Sequence, residues 1–487
     1  MNNLLFKGAA YLTFANLIFM GSGYIIQILI GRFFDPALYG TFGIVIYLIN
    51  LLNTILTSGF FQGISRSIAE KETAAKTILR KSLKIEIILT PIIALIYYGL
   101  ADLISRGFGD PQMAYYIRLS ALLIPLYGIR TVYIGVLNGL KRFNKQSLIA
   151  IIAAISKLVL VVIFLLMGLD LDAILLAYFL AALVSLITAM SFTKIKNGLD
   201  HFPGKKLFNT TITISFYAFG FPLLMSIDLF LVKYFSNNQD SAGYYNSATT
   251  LSRFLYIILA GFVISLLPII SGYYYKNLIE KVRENIKQAI RLSLIILGPL
   301  TIIASLTAGN LIPLIFSDKY NPAITSFSIL VFGMSLLALT RVMMTIIISI
   351  GQQKMSLYLT IMLILASIAA NLLLIPKYGI NGAAWATTFV GVIGLLFSYI
   401  YVWKKINKIT NWISIIKIII ASLVVGIVCK VLITELDFSN FKILALYSIL
   451  VLIYLITLVM FKEFSKNDIL ILRNFFTGKN INKKTDI

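Results

Sequence analysis

The sequence predicts an all-α, polytopic membrane protein with about 14 transmembrane helices. Of its 487 residues, 59% are hydrophobic and only 13% are charged, whereas a soluble domain carries about 25% charged residues. Apolar runs recur along the whole chain, and many reach the roughly 20 residues that cross a bilayer as a helix. The connections between the runs are short, so no soluble domain fits between them.

The apolar runs define fourteen predicted spans. They are 8–30, 38–62, 83–104, 114–137, 146–168, 172–193, 211–234, 243–270, 288–308, 322–349, 355–375, 379–402, 413–433 and 441–461. The first span follows Lys7 and shows no small-residue cleavage site, so we expect it to be a retained helix.

The distribution of positive charge predicts the orientation of the spans. The chain has 42 Lys and Arg against 19 acidic residues, and the cations form short clusters between apolar runs, which disfavours nucleic acid as a partner. Alternate connections and the tail hold 29 Lys and Arg, and the opposite connections hold 7. By the positive-inside rule, we expect a cell-membrane protein with both termini in the cytoplasm.

The two halves of the chain resemble each other in sequence. Matched segments run in the same order at offsets that drift only from 202 to 211 residues, including Thr90-Pro91 with Gly298-Pro299, Phe108-Gly109-Asp110 with Phe316-Ser317-Asp318, Arg130 with Arg341, and Gly168 with Gly379. Each copy contains six spans, an even number, so the pattern predicts two parallel repeats with the same orientation in the membrane.

This repeat predicts the organisation of the chain into four parts. They are an N-terminal six-helix lobe at 1–208, a C-terminal six-helix lobe at 209–408, an appended helix pair at 409–461 and a cytoplasmic tail at 462–487.

Helix-breaking residues occupy matching places in the first span of each repeat. Gly21 and Gly23 interrupt span one, and Gly220 and Pro222 interrupt span seven. Paired interruptions of this kind often mark a binding site or a gate, because unwound backbone is tolerated only beside protein or water. Simple packing kinks explain them equally well.

Charged residues inside the spans indicate where a ligand binds. Five cations lie well within spans, at Arg118, Arg130, Lys157, Arg253 and Arg341, against one acid, Asp228. Each charge costs about 2.5–3.5 kcal/mol at the centre of a membrane helix. One acid cannot neutralise five cations, so some of them must face water, backbone carbonyls or an anionic ligand.

The depth of each charge refines its predicted role. Arg130 and Arg341 are repeat partners at similar depth and would grip a phosphate group, since the planar guanidinium binds phosphate bidentately; satisfying helix-end carbonyls is the alternative. Lys157 is central in its span, which favours a cavity. Asp228 and Arg253 form either a structural ion pair or a coupling-ion site.

The remaining charges lie near the ends of their spans, where a charged group costs less free energy. Arg118 is near the outer end of its span and is expected to reach the membrane surface. Glu86 is near a span end as well, and we expect its side chain either to snorkel to the membrane surface or to lie in the interface.

Catalytic and metal chemistry have few candidate residues in this chain. The single cysteine, Cys429, and the single histidine, His201, predict no metal, no cofactor and no catalytic residues. A membrane glycosyltransferase or glycan polymerase would need carboxylates in a sizeable loop, and the outside loops are short and lack an acid cluster. We therefore expect a protein that is not an enzyme.

Several segments resemble the polysaccharide flippases of the multidrug/oligosaccharidyl-lipid/polysaccharide exporter superfamily, the O-antigen flippase type. The segments are Gly31-Arg32-Phe33-Phe34-Asp35-Pro36, Leu38-Tyr39-Gly40-Thr41-Phe42, Gly63-Ile64-Ser65-Arg66, Ala242-Gly243-Tyr244-Tyr245-Asn246 and Leu374-Ile375-Pro376-Lys377-Tyr378-Gly379-Ile380-Asn381-Gly382. The resemblance implies two six-helix lobes around a central cationic cavity and an isoprenoid-linked glycan as cargo.

The resemblance also sets the alternatives. Peptidoglycan lipid-precursor flippases and multidrug/toxin extruders share this architecture, but extruders of organic cations would be expected to use acidic cavities. The expected partners are a lipid-linked glycan, membrane lipids and a coupling ion, H⁺ or Na⁺, and the expected state is a monomer.

Overall fold

The structure is a computed structural model that describes residues 2–195, 200–204, 207, 211, 219–236, 238–435 and 442–463. In this part of the chain the regular structure is helical throughout, with no strand. The chain divides into two compact units, Met1–Asn246 and Ser247–Ile487. Residues 219–246, which belong to the second repeat by sequence, fall in the first unit, and the lobe boundary at 208 stays a prediction.

The first unit contains the helices of the first repeat and the start of the second. They are α1 (Asn2–Phe33), α2 (Pro36–Glu70), α3 (Ala75–Gly99), α4 (Ala101–Gly107), α5 (Met113–Ala121), α6 (Leu123–Gly139), α7 (Phe143–Leu166), α8 (Leu171–Phe192), α9 (Ile227–Phe235) and the beginning of α10 (Ser241–Ile258). A short 3₁₀ turn, Glu72–Ala74, precedes α3.

The second unit contains the rest of α10 and the remaining helices. They are α11 (Ala260–Tyr275), α12 (Ile279–Leu306), α13 (Ala308–Phe316), α14 (Ala323–Ser349), α15 (Gln353–Ile406), α16 (Trp412–Glu435) and α17 (Lys442–Met460). A 3₁₀ turn, Asp318–Tyr320, precedes α14.

The helices confirm a multi-pass membrane protein. Among the described residues, ten helices are long and apolar enough to cross a membrane, or eleven if the bent pair Ser241–Val263 and Ser265–Tyr275 is one span. The 54-residue α15 bends sharply at Gly379 (φ 56°, ψ −135°), where the sequence predicts two separate spans. Part of predicted span seven, 212–218, and most of the predicted tail lie outside the described residues.

Backbone conformation agrees with the predicted internal repeat at two pairs of matched positions. Gly109 and its repeat partner Ser317 have φ values of 63° and 103°, and Gly168 and Gly379 have values of 69° and 56°. Such left-handed conformations are uncommon outside glycine and mark the same chain reversals in both copies. Pro91 and Pro299 also occupy equivalent interior positions, in α3 and α12.

One end of the first unit is closed by tight packing between α2 and the start of α10. A Cβ on Gly40 would lie 2.6 Å from the backbone nitrogen of Gly243, and a Cβ on Gly243 would overlap the carbonyl oxygen of Pro36. Asn246 donates from Nδ2 to the carbonyl oxygen of Tyr39 over 3.4 Å. The two glycines are therefore required for this approach of two backbones.

A buried ion pair strengthens the same end of the unit. Lys233 in α9 donates from Nζ to Oδ2 of Asp110 over 2.9 Å, and Thr41 in α2 donates to the same oxygen over 3.2 Å. The Lys233 side chain is only 4% exposed, although the charge count assigns it to an outside connection. Removing one partner of such a pair would leave a buried, uncompensated charge.

The appended helices pack against α12 in the second unit. Ile418, Val425 and Leu450 belong to one buried apolar cluster with Ile303 of α12. Beyond α17, the carboxylate of Glu463 accepts a hydrogen bond from Ser414 over 2.7 Å and lies 3.5 Å from Nζ of Lys417. The helix pair is thus anchored both by its apolar faces and by a buried carboxylate.

The connection between the sequence repeats is tied to the end of α2. Asp200 accepts a hydrogen bond from the Thr73 hydroxyl over 2.9 Å and pairs with Lys71 at 3.3 Å. The Thr73 hydroxyl and the Lys71 ammonium hold the pKa of Asp200 below its usual range. The contact therefore fastens the connection that follows α8 to the turn between α2 and α3.

Candidate functional site: two cation clusters in the membrane helices

Lys157 lies in an aromatic cradle near the middle of α7. Its Nζ is 5.2 Å from the ring centroid of Phe19 in α1 and 4.9 Å from that of Tyr178 in α8. Both distances are within the roughly 6 Å at which an ammonium is attracted to an aromatic face. Among the described residues, no carboxylate or other hydrogen-bonding group contacts this ammonium. The cradle therefore holds the cation but does not neutralise it.

Arg130 in α6 lies next to this cradle. Its guanidinium is 5.4 Å from the ring of Tyr127 and donates from Nη1 to the Ser185 hydroxyl over 3.3 Å. Its Nε is buried and has no hydrogen-bond partner in the part of the chain that the structure describes. Arg130 and Lys157 are close enough to act on each other electrostatically. Two cations and an unused guanidinium donor therefore occupy one place in the first unit.

An aromatic ring of α2 supports one of the rings in this cluster. Phe42 packs edge-on against Tyr178, with ring centroids 6.0 Å apart. Four helices, α1, α6, α7 and α8, thus supply the charged and aromatic groups, and α2 supports them. We name this set, Phe19, Tyr127, Arg130, Lys157, Tyr178 and Ser185, the first cation cluster.

Arg341 in the second unit is exposed on an otherwise buried face of α14. The residues that share this face one turn or more away, Leu330 and Met334, are fully buried. Phe332, which is 44% exposed, precedes Arg341 by nine residues, so at about 100° per residue the two side chains leave the helix on opposite sides. Arg341 therefore points away from the side of α14 that carries the exposed ring of Phe332.

Arg253 of α10 lies on the same side of the second unit as Arg341. Tyr256, one turn after Arg253, is within electrostatic range of both arginines. Arg253 is half-buried. We name Arg253, Tyr256 and Arg341 the second cation cluster; it joins two residues that the sequence had proposed as separate parts of a binding site.

The two predicted phosphate-binding arginines occupy equivalent depths. Arg130 lies nine residues before the end of α6 at Gly139, and Arg341 lies eight residues before the end of α14 at Ser349. At 1.5 Å per residue, both are about 12–13 Å from those ends. Neither is a helix-terminal residue, although their role in binding stays a prediction.

Asp228 is buried in α9 and is held by its own unit. Its Oδ2 accepts a hydrogen bond from the Tyr245 hydroxyl over 2.7 Å, and its Oδ1 accepts one from the backbone N–H of Leu229 over 2.9 Å. The Asp228–Arg253 pair joins residues of different units, and it stays a prediction. The Tyr245 contact was not apparent from sequence, because the two residues are 17 positions apart.

Arg118 behaves as a surface cation. Its Nη2 lies 2.5 Å from Oδ2 of Asp102, and both side chains are more than one-third exposed. Exposed pairs of this kind contribute little to stability, typically 0–1 kcal/mol. Arg118 is therefore neutralised outside the two cation clusters and serves as a matched control for them.

The predicted interruption of the first span is absent. α1 is continuous through Gly21 and Gly23, and no heavy atom outside the helix lies within 4 Å of the Cβ position of either glycine. Two glycines lower helix stability but do not by themselves break a helix that its neighbours support. Near Gly220 and Pro222 the chain is helical at 219–224 and then turns at 225–226 before α9. A role of these four residues in gating stays a prediction.

The sequence missed the aromatic partners of the cations. Phe19, Tyr127 and Tyr178 come from three helices, and only Tyr127, three residues before Arg130, carries a local signal, since positions three apart share a helix face. Tyr256 has the same spacing from Arg253. The other partners depend on how distant helices pack, which the sequence pattern does not specify.

Known structures share this fold. The lipid II flippase MurJ in an inward closed conformation superimposes with a TM-score of 0.76 over 93% of this chain and 99% of that chain, at 16% identity. A multidrug resistance MATE family transporter in an inward-facing conformation superimposes with a TM-score of 0.68. The match covers 78% of this chain and 94% of that chain, at 18% identity. A transporter of the same superfamily from Pyrococcus furiosus, described as having a binding pocket of reverse polarity, superimposes with a TM-score of 0.61. The match covers 82% of this chain and 96% of that chain, at 18% identity.

These similarities define the class of protein as a membrane protein with the fold of the MurJ and MATE transporters. Residues 5–274 match the family described as polysaccharide biosynthesis protein, which is more than half of the chain. The chain belongs to that family. An uncharacterized membrane protein of Methanocaldococcus jannaschii is 25% identical over 265 residues, and the match spans about half the length of each protein.

Proposed function

We propose that this protein flips an anionic polyprenyl (pyro)phosphate-linked oligosaccharide from the cytoplasmic to the outer leaflet by alternating access through a cationic cavity. The observation that carries the proposal is the first cation cluster. A lysine ammonium at mid-helix is held by two aromatic faces, lies close to Arg130, and has no anion among the described residues. An anionic ligand offsets the cost of such charges through charge-assisted hydrogen bonds.

The ligand chemistry follows from the groups in the two clusters. Guanidinium groups present several donors in a plane and bind phosphate oxygens in pairs, and an ammonium adds a point charge. Aromatic rings such as those of Tyr178 and Tyr256 offer flat apolar faces beside polar hydroxyls, which suits a sugar ring. The lipid tail stays in the bilayer while the phosphate and the sugars pass through the protein.

Arg341 supports an equivalent role for the second unit. It is the repeat partner of Arg130, and its side chain is exposed on a face of α14 that is otherwise buried. In the proposed cycle Arg130 and Lys157 of the first unit, and Arg341 and Arg253 of the second, all take part in binding the phosphate group. The chain acts as a monomer, and a coupling ion, H⁺ or Na⁺, drives the cycle.

A peptidoglycan lipid-precursor flippase is the second candidate, because the lipid II flippase MurJ shares the fold over nearly the whole chain. Lipid II is likewise an anionic polyprenyl-linked glycan. The match to the polysaccharide biosynthesis family favours the oligosaccharide without a peptide. A multidrug extruder of organic cations is disfavoured, because both clusters are positively charged.

Binding to the purified chain tests the ligand class. Native mass spectrometry in detergent would compare a polyprenyl diphosphate glycan, lipid II, the glycan on a neutral polyprenol, and tetraphenylphosphonium. We expect the diphosphate carriers to bind and the neutral carrier to bind about 10–100-fold more weakly, which corresponds to about 1.5–3 kcal/mol for hydrogen bonds to a charged group. Equal binding of the neutral carrier, or preferred binding of the organic cation, would contradict the proposal.

We further propose that both termini are cytoplasmic. The support is the ratio of 29 to 7 Lys and Arg between opposite connections. A topology reporter fused after residue 487, and another in the 194–208 connection, should both give cytoplasmic signals. An external signal from either site would reverse the proposed orientation.

A further inference from the structure

Glu86 is a fully buried carboxyl group in the middle of α3. The sequence places it near a span end, but α3 begins at Ala75, eight residues before the predicted span, so Glu86 is one residue from the helix midpoint. Its side chain is 0% exposed, and neither Oε1 nor Oε2 has a hydrogen-bond partner. Glu86 is therefore buried within the protein, and its depth in the membrane stays a prediction.

Glu86 belongs to a polar stripe on the face of α3 that packs against α6. Ser82, Glu86 and Thr90 follow one another at four-residue spacing, and all three are fully buried. The Ser82 hydroxyl also lacks a partner, whereas the Thr90 hydroxyl donates to the carbonyl oxygen of Glu86. Across the interface, a Cβ on Gly128 would lie 2.5 Å from Oε2 of Glu86, so the missing side chain makes room for the carboxyl group.

No charge compensates this carboxyl group among the described residues. The titratable or charged residues of the elements packed against α3 are Tyr39, Tyr47, Arg66, Glu70, Glu72, Asp102, Arg106, Tyr115, Tyr116, Arg118, Tyr127, Arg130 and Tyr133. None of them forms a hydrogen bond or an ion pair with Glu86. An ionised carboxylate in such a place is very costly, so the carboxyl group is protonated in this conformation.

The fold does not require an acid at this position. At the repeat offset of 208, Leu294 of α12 is the residue equivalent to Glu86. Leu294 packs on the apolar cluster of the second unit. The equivalent position of the second repeat is therefore apolar, and it faces the appended helices rather than a counterpart of α6. An unpartnered acid where an apolar residue would fold better indicates a function for the carboxyl group.

We propose that Glu86 is a proton-binding site that couples proton movement to transport. The coupling rests on the proposed transport function; the proton site itself rests on the geometry of α3 and α6. When α3 and α6 pack together, Glu86 holds a proton; when they separate and water enters, the carboxyl group ionises and releases it. A metal cation would need several oxygen ligands. Among the described residues of this polar stripe, the Ser82 hydroxyl is the one further oxygen without a hydrogen bond, so the site suits a proton better than a metal.

Infrared spectroscopy tests the proton site without any transported substrate. Wild type and Glu86→Gln in lipid vesicles at neutral pH should differ by the carbonyl band of one protonated carboxylic acid. Asp102→Asn, which removes an exposed acid, should leave that band in place. A difference spectrum that instead shows carboxylate bands would overturn the proposal.

Vesicle transport tests the coupling. The Glu86→Gln chain should keep the melting temperature of wild type, because the amide preserves the size and the neutral state of the protonated acid. Wild-type flipping of a polyprenyl diphosphate glycan should accelerate under a proton gradient, and the variant should lose that response. A response retained in Glu86→Gln, or absent from wild type, would overturn the coupling. If wild type flips no glycan at all, the proposed function fails, and the infrared band alone decides whether Glu86 binds a proton.

Discussion

Reversing the charge of Arg130 or Arg341 is expected to abolish glycan transport. Arg130→Glu places a negative charge beside Tyr127 and Ser185, where the proposed phosphate binds, and repels it. Arg130→Ala removes only the donors and should lower transport by about 10–100-fold, the equivalent of about 1.5–3 kcal/mol. Arg130→Lys keeps the charge but loses the paired donors, so its loss should be smaller.

Arg341 should follow the same order, because it is the repeat partner of Arg130. The measurement is glycan display on cells that depend on the protein, with the membrane abundance of each variant determined alongside. Arg118→Ala is the matched control: it removes an arginine from a span, but that arginine is exposed and already paired with Asp102. Normal transport by Arg130→Glu and Arg341→Glu at normal abundance would show that both arginines are structural.

Substituting Gly243 is expected to open the packed end of the first unit. A valine there would collide with the carbonyl group of Pro36, and neither partner is a flexible side chain that can move aside. Overpacking typically costs about 1–3 kcal/mol, which changes a two-state population by about 5- to 150-fold. We therefore expect Gly243→Val to disfavour this closed contact and to stop the transport cycle.

Distances between spin labels at Asp35 and Asn238, with Cys429 replaced by alanine, report the contact directly. The distribution should shift to longer distances in Gly243→Val, and less so in the milder Gly243→Ala. Gly272→Ala is the control, because its Cβ position has no neighbouring atom within 4 Å. Unchanged distances and unchanged transport in Gly243→Val would show that the contact is not part of the cycle.

The features that local sequence specifies were predicted well. Apolar length gives the helices, and the repeat is visible both in sequence and in the matched positive φ values of Gly168 and Gly379. The embedded cations could be identified because a charge inside an apolar run is conspicuous. The bend in α15 also follows from the sequence, because it occurs at Gly379, the repeat partner of Gly168.

The features that depend on distant packing were not predicted. Lys233 was counted with the outside connections, yet it is buried against Asp110, 123 residues away. Glu86 was expected near a span end, and its burial beside Gly128 of α6 depends on helix packing that the sequence does not specify. Gly21 and Gly23 looked like a break, but glycine permits an unwound backbone without requiring one. The cradle of Lys157 joins α1, α7 and α8, and no short motif encodes it.

Flipping in reconstituted vesicles is the most direct measurement of the proposed activity. A fluorescent polyprenyl diphosphate oligosaccharide, and the same oligosaccharide on a neutral polyprenol, would be followed by the fraction that an external reagent can quench. We expect the wild-type chain to equilibrate the diphosphate carrier between leaflets, and both Arg130→Glu and Arg341→Glu to leave it where it was placed. If the neutral carrier flips as fast as the diphosphate carrier, or if neither arginine variant slows the diphosphate carrier, the cation clusters do not bind the cargo.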